Sequence, residues 1–519
     1  MKASPSLLTI TAHARSGALD HAWRLFREGG YERARNDPSA LSLKGRLLKD
    51  QALRAEGAAR RALYLDAANA YASAGRLDGR AYPLINAATL SLLAGQPAKA
   101  RKLARQVLAH GGDRNETAYY QDATRAEALL LLDDLKGAAA TLTGAVARAP
   151  QAYEDHASTL RQFELILDAL DEDKGWLDAL RPPRALHFAG HMEAGADTAR
   201  AIRTLLERER IGFGYGALAA GADILIAEAL LRAGAELHLV LPAPERAFRD
   251  ASVTRHGKDW VRRFHRVLGK ARSIRTIPGG DTLSPLALRL AAEVAMGEAV
   301  MRAATLSTEA VQLVVLDRQG RRDRTPGGSG WIASTWKRTG RRQHILVAPR
   351  RRAARRPLDR VSGAALAAML RIDVPDPAAA RLTEDILPWI ARALAAGAAP
   401  CVPIRWTGES VLAAFDTPQD AARAALSAAA VMEHKTDLRI AGNYAIVRQA
   451  KDPFGGGPFL AGAGAALLAP LAQATPFGAI HLTGDFAAAL HSSALRPRTE
   501  YVGELEDAAA PIPLYSLKR

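Results

Sequence analysis

The single cysteine, Cys401, has no second thiol to pair with, so the chain holds no internal disulfide and no thiolate-based zinc cluster. Nor does any apolar run approach the roughly 18 uninterrupted residues a membrane helix requires, so no membrane span is expected. The first residues, Met1 to Trp23, carry one early lysine and a short apolar run that soon meets His13, Arg15 and Asp20. A cleaved signal peptide is not expected there, and the expected location is cytoplasmic. Aromatic residues are sparse at 6%, yet 48% of the chain is hydrophobic and 24% charged, which excludes wholesale disorder. At roughly 100–200 residues per domain, 519 residues argue for about three domains.

Acid is scarce in one stretch. The whole chain balances 70 Lys and Arg against 54 Asp and Glu, a net +16. Between Arg318 and Arg356, however, 13 basic residues face one acid, Asp323. Such a 318–356 basic cluster could hold nucleic acid or an anionic surface through phosphate contacts, or serve as a solvated linker. No zinc or helix-turn-helix spacing accompanies it, so a nucleic-acid partner is the lesser reading.

Residues 1–180 read as helix throughout, with apolar residues at helical spacing such as Ala100, Leu103 and Val107. A glycine followed five residues on by Ala or Leu, and three further by Leu or Ala, occurs three times. The matches are Gly17-Ala22-Leu25, Gly95-Ala100-Leu103 and Gly137-Leu142-Ala145. Small residues at such spacing let paired helices approach in a stacked array, so an all-α, tetratricopeptide-like domain with a protein partner is expected. Two strings, Asn36 to Asp50 and Tyr82 to Gly95, resemble the TRAFs-binding domain, a helical module of bacterial signalling proteins and apoptosis-signal-regulating kinases.

Arg181-Pro182-Pro183 breaks the helical pattern, and strands then alternate with helices over 184–349. The clearest strands are Arg184 to Gly190, Glu236 to Pro242, Ala310 to Asp317 and His344 to Pro349, and the clearest helices Thr198 to Glu209 and Ile224 to Gly234. This alternation predicts an α/β, Rossmann-like domain with a parallel sheet, whose ligand sits beyond the carboxyl ends of the strands. Glycines cluster at those ends: Gly190, the run from Gly214 to Gly221, and Gly327-Gly328. They allow backbone N–H groups to approach a phosphate, or they simply make turns. Gly214 to Ala219 formally matches a dinucleotide fingerprint, but no acid ends the next strand. Gly216 to Gly221 has P-loop spacing without the Lys-Ser/Thr, so neither motif stands.

The phrases FAGHM, GALAAGADILIAEALLRAGAELHLVLP and SVTRHGKDWVRRF resemble the SLOG superfamily, the Rossmann-like fold of lonely-guy phosphoribohydrolases and DNA-processing proteins. By matching positions, the resemblance implies that Gly190, His191, Gly216, Gly221, Asp223, Glu228, Gly327 and Gly328 line a nucleotide cleft. The lonely-guy motif Pro-Gly-Gly-x-Gly-Thr-x-x-Glu is met from Pro326 to Gly330, but Trp331 replaces its threonine and Ser334 its glutamate. Without that carboxylate to assist departure of a base, binding without hydrolysis is the expectation.

Residues 358–519 give a strand into Asp373, a helix, a hairpin from Cys401 to Phe415, a helix capped at Thr417, and further strand and helix. The order resembles a class III adenylate/guanylate cyclase domain, an α+β fold. The resemblance implies a homodimer and two carboxylates for magnesium, which fall on Asp373 and Glu409. Its transition-state Asn and Arg fall on Ala466 and Pro470, which cannot supply those hydrogen bonds, and Gly462 to Ala474 contains no Asn or Arg. The expected protein is thus a multidomain signalling scaffold that senses a nucleotide-derived ligand and carries a catalytically silent cyclase-like module. The alternatives are an enzyme, either nucleotide hydrolase or cyclase, and a nucleic-acid binder acting through 318–356.

Overall fold

The structure is a computed structural model that describes residues 5–110, 116–195, 197–278, 283–318, 325–349, 362–375, 382–432, 438–453, 455, 457–506 and 510–518. Within the basic cluster, positions 319–324 and 350–356 lie outside the described residues. The chain divides into two compact units, one formed by Met1–Pro182 with Thr305–Ser307 and the other by the remainder. No helix among the described residues is long and apolar enough to cross a membrane.

The first unit is helical: α1 (Leu7–Arg15), α2 (Leu19–Glu28), α3 (Pro38–Ala52), α4 (Gly57–Asp78), α5 (Ala81–Leu93), α6 (Pro97–Ala109), α7 (Ala118–Leu131), α8 (Leu135–Arg148) and α9 (Tyr153–Leu170). Its repeat shows in the turns. The α1–α2, α5–α6 and α7–α8 links each hold one left-handed residue: Gly17 (φ 89°), Gly95 (φ 77°) and Asp133 (φ 67°). In each, the next N–H reaches back to the carbonyl five residues earlier: Ala18 to His13 at 3.1 Å, Gln96 to Ser91 at 2.8 Å and Asp134 to Leu129 at 3.0 Å. The residue five beyond the left-handed position is Ala22, Ala100 or Ala138, all essentially buried. Two of the expected glycine triplets therefore mark real turns. The third does not: Gly137 lies inside α8, where Asp134 caps its N–H at 2.9 Å, and Asp133 takes the turn position.

The second unit contains two sheets. The first is parallel, with β1 (Arg184–Gly190), β2 (Ile211–Gly216), β3 (Glu236–Leu241), β4 (Ser273–Thr276), β5 (Ala310–Leu316) and β6 (Gln343–Val347) in the order β4-β3-β2-β1-β5-β6. The order reverses between β1 and β5, the place where an open α/β sheet forms a crevice. Strand β2 contains Gly214 and Gly216, which the sequence placed in a turn. A side chain at Gly214 would stand 2.3 Å from Leu230 of α11 (Ala222–Arg232), so glycine lets the helix lie directly on the strand. Helices α10 (Thr198–Arg208), α11 and α13 (Lys258–Leu268) share one core with the strands. Beside them runs the short α12 (Glu245–Ser252). Helix α14 (Pro285–Thr305) and α15 (Ser329–Lys337) pack together through Met296, Val300, Ile332 and Trp336, against Ala189 of β1.

The second sheet comprises β7 (Ala364–Asp373), β8 (Arg405–Trp406), β9 (Ser410–Phe415), β10 (Arg439–Lys451), β11 (Pro458–Ala461), β12 (Ile480–Thr483), β13 (Arg498–Leu505) and β14 (Ile512–Lys518). Its order is β13-β14-β12-β10-β7-β9-β8, with β11 paired to β10. Only β10 and β12 pair in parallel; the rest are antiparallel. The expected Cys401–Phe415 hairpin forms through β8 and β9. Leu366, Leu370 and Tyr444 of this sheet share a continuous core with Leu290 and Val294 of α14 and Val240 of β3. The segments 184–349 and 358–519 thus each build a sheet, but one apolar core joins them.

Candidate functional site

A cavity of about 950 Å³ opens at the carboxyl ends of the first sheet's strands. Three elements meet there: the end of β1 with Gly190 and His191, the start of α11 with Asp223, and the turn Thr325 to Gly328 ahead of α15. Pro285, Leu288, Ala291, Ala292 and Ala295 of α14 form an apolar wall, a volume suited to a small organic ligand.

Three glycines at this site are fixed by contact. A side chain at Gly190 would come within 2.3 Å of Ala222 Cβ, which keeps α11 close on β1. Gly221 has φ +74° and precedes α11; a Cβ there would lie 2.4 Å from the Met192 carbonyl group. Gly327 has φ +77° and sits 2.7 Å, measured from a would-be Cβ, from backbone atoms of Leu288 and Arg289. Gly328 then caps α15 without any side-chain hydrogen bond, so the first N–H groups of that helix face the cavity region with the positive end of its dipole.

The polar groups across the cavity are buried. Asp223 is 6% exposed, and its Oδ2 accepts the Ala219 N–H at 3.1 Å. Its Oδ1 is buried and has no hydrogen bond of normal geometry among the described residues. Burial pushes its carboxyl up to about 8, while the backbone at Ala219 and Gly190 pulls the other way. His191 is 3% exposed. Its Nε2 lies 3.2 Å from the Ala348 carbonyl oxygen. Its Nδ1 is buried and lies 3.5 Å from the Glu193 carboxylate. Beneath them His187 is held neutral by burial, at about 3, with Nδ1 3.1 Å from Gln312 and its ring stacked on Trp336.

Five of the eight positions inferred for this cleft line the cavity: Gly190, His191, Asp223, Gly327 and Gly328. Gly221 shapes its floor by approaching Met192. Gly216 does not line it and instead packs on Phe188, where a Cβ would fall 2.6 Å from that carbonyl oxygen. Glu228 is turned away: Arg263 grips it through two bonds at 2.9 and 2.8 Å, and Arg232 adds a third at 3.0 Å. The apolar wall from α14 and the lining residues Arg255 and Asp317 are additions the sequence reading did not place. Ser334, where the hydrolase motif has glutamate, donates to the Trp331 carbonyl at 2.9 Å within α15.

The second sheet presents a different arrangement at its counterpart positions. Asp373 ends β7 and is 4% exposed. Arg371 Nε donates to its Oδ1 and Arg439 Nε to its Oδ2, each at 2.8 Å, while the Arg439 guanidinium stacks 4.7 Å over Phe477. Ser410 pairs with Asp373 in register, which brings the exposed Glu409 next to it. Ala466 is exposed at the end of a four-residue helix, and Pro470 lies exposed in the first turn of the next, Leu468–Ala474, where a missing N–H costs nothing. A magnesium site does not fit here. Both carboxylate oxygens of Asp373 already carry a guanidinium, and no cluster of three metal-ligating side chains exists among the described residues.

Residues 7–91 match the family model of Tetratricopeptide Repeats-Sensor. No curated protein matches the chain. Among solved structures, the adenylyl cyclase CyaB from P. aeruginosa is similar at 14% identity, covering 30% of this chain and 95% of that one, with a TM-score of 0.25. The guanylate cyclase domain of RhGC from Catenaria anguillulae, in complex with GTP, is similar at 15% identity, covering 30% and 96%, with a TM-score of 0.26. The guanylyl cyclase Cya2 gives 12% identity, 30% and 92% coverage and a TM-score of 0.22.

Proposed function

We propose that the protein is a signalling scaffold whose SLOG-type, Rossmann-like layer binds a nucleotide-derived ligand. Its repeats recruit a protein partner, and its cyclase-like layer is catalytically silent and suited to pairing with a second copy. The observation that carries the ligand reading is the start of α15, reached through Gly327-Gly328 and without a side-chain cap, opening on the same cavity as the buried side chains of Asp223 and His191. A phosphoryl group suits the helix start, and hydrogen-bonding hydroxyl or amino groups suit the opposite polar wall. The sensor-repeat match over residues 7–91 supports the signalling context.

Silence of the second layer is supported by chemistry. A carboxylate shared between two guanidinium groups is already neutralised, and neither Ala466 nor Pro470 offers a side-chain donor to the charge that develops as pyrophosphate leaves.

Two experiments test the reading. Mass spectrometry of small molecules released from the purified protein should find a nucleotide derivative; a panel of nucleotides and nucleotide second messengers that leaves thermal stability unchanged would count against the cavity as their site. Incubation with ATP or GTP and magnesium or manganese should yield no more cyclic product than an Asp373→Ala, Glu409→Ala double variant.

A further inference from the structure

Helix α14 crosses from β4 to β5 of the first sheet, yet it is also tied to the second. In its first turns Arg289 Nε donates to Glu293 Oε1 at 3.0 Å, and Tyr444 of β10 donates its hydroxyl to Glu293 Oε2 at 2.8 Å. An Arg289 terminal nitrogen lies 3.4 Å from the same hydroxyl. One turn further on, Gly297 meets the backbone of Ala488 in the helix Gly484–His491; a Cβ there would fall 1.7 Å from the Ala488 carbonyl oxygen. Beside it, Arg275 of β4 bridges Glu298 of α14, at 2.7 Å, and Asp485 of that helix. Tyr444 is fully buried and Glu293 nearly so, and a buried hydrogen-bonded charge is costly to leave half-made.

The same helix supplies the apolar wall of the cavity, and the Gly327 turn seats on its Leu288–Arg289 backbone. The turn that opens α15 therefore touches the very residue, Arg289, that reaches Tyr444. Backbone contact at Gly297 packs α14 directly against the helix Gly484–His491.

We propose that one wall of the cavity belongs mechanically to the second sheet: α14 moves with β10 and the helix Gly484–His491, so that whatever fills the cavity sets the position of the cyclase-like layer through Arg289–Glu293–Tyr444 and Glu298–Arg275–Asp485. The identity of the filling molecule rests on the function proposed above; the coupling itself does not, and can be read on the protein without added ligand.

The test is hydrogen exchange on the full chain. Tyr444→Phe removes one oxygen from the far side of α14. It should raise exchange about five-fold, the scale of one lost buried hydrogen bond, in the Thr325–Ile332 turn and the start of α14 as well as in β10. Val447→Ala is the control. Val447 lies on the opposite face of β10, packed with Met369, Ala414 and Leu468, and its loss should leave the cavity turn unchanged. Asp485→Asn should loosen β4 and the second half of α14. Changes confined to β10 and its paired strands in Tyr444→Phe, or equal changes at the cavity turn in Val447→Ala, would overturn the coupling. An absence of nucleotide binding with the expected exchange pattern would instead sink the ligand reading and leave the coupling standing.

Discussion

Asp223 is strongly altered by its surroundings. An unfolded aspartate ionises near pH 4, whereas this one holds its proton up to about 8. Between those values the folded protein binds the extra proton, so this group's contribution to stability falls as pH rises, by up to about 1.4 kcal/mol per unit. His187 and His491, lowered by burial to about 3 and about 4, act in the opposite sense: their contribution is present above the unfolded value near 6.5 and is lost as pH falls toward the folded values. Above pH 6.5 the aspartate effect is free of theirs. Wild type should therefore lose melting temperature from pH 6.5 to 8 relative to Asp223→Asn, and parallel curves would refute a protonated Asp223. At Asp373 the forecast concerns the metal: millimolar magnesium should leave the melting temperature unchanged, because two guanidinium groups already occupy the carboxylate. Asp373→Ala should cost about 1–3 kcal/mol in denaturant unfolding by leaving two half-buried arginines facing each other.

At the level of elements, the turn before α8 shows how a repeat is hidden from its own sequence. Gly17 and Gly95 announce left-handed turns because glycine alone pays no Cβ penalty there. Asp133 adopts the same conformation, with the same backbone hydrogen bonds, so the match fell instead on Gly137, four residues late. Asp133→Gly should raise stability by about 1 kcal/mol. Its ion pair with Arg101 is exposed and offsets little of that, and no change in denaturant midpoint would contradict the turn assignment. Glu228 failed for a matter of phase. Five residues beyond Asp223 on α11, it is turned by about 500°, toward the side where Arg263 waits. The α14 wall was illegible for another reason: the helix is apolar on nearly every face, which signals burial between two layers but not which two.

For the whole molecule, the strand–helix alternation carried most of the information. It predicted a parallel sheet, and a parallel sheet with its order reversing between β1 and β5 brings Gly190-His191 and Gly327-Gly328 to one edge, although 136 positions separate Gly190 from Pro326 in the chain. The two-sheet core was not readable, since it depends on how Val240, Leu290, Val294 and Tyr444 meet across segments far apart in sequence. The central claim is that the start of α15 receives an anionic group of the ligand. Ser329→Asp tests it most directly, because a carboxylate at a helix start is tolerated by the dipole, yet occupies and repels the place a phosphoryl group would take. Melting temperatures of wild type and variant are compared with and without each of a set of nucleotides. The account predicts that at least one nucleotide raises the wild-type value by several degrees, as a ligand at about a hundred times its Kd would, while the variant melts normally and gains nothing. An equal gain in Ser329→Asp would contradict it.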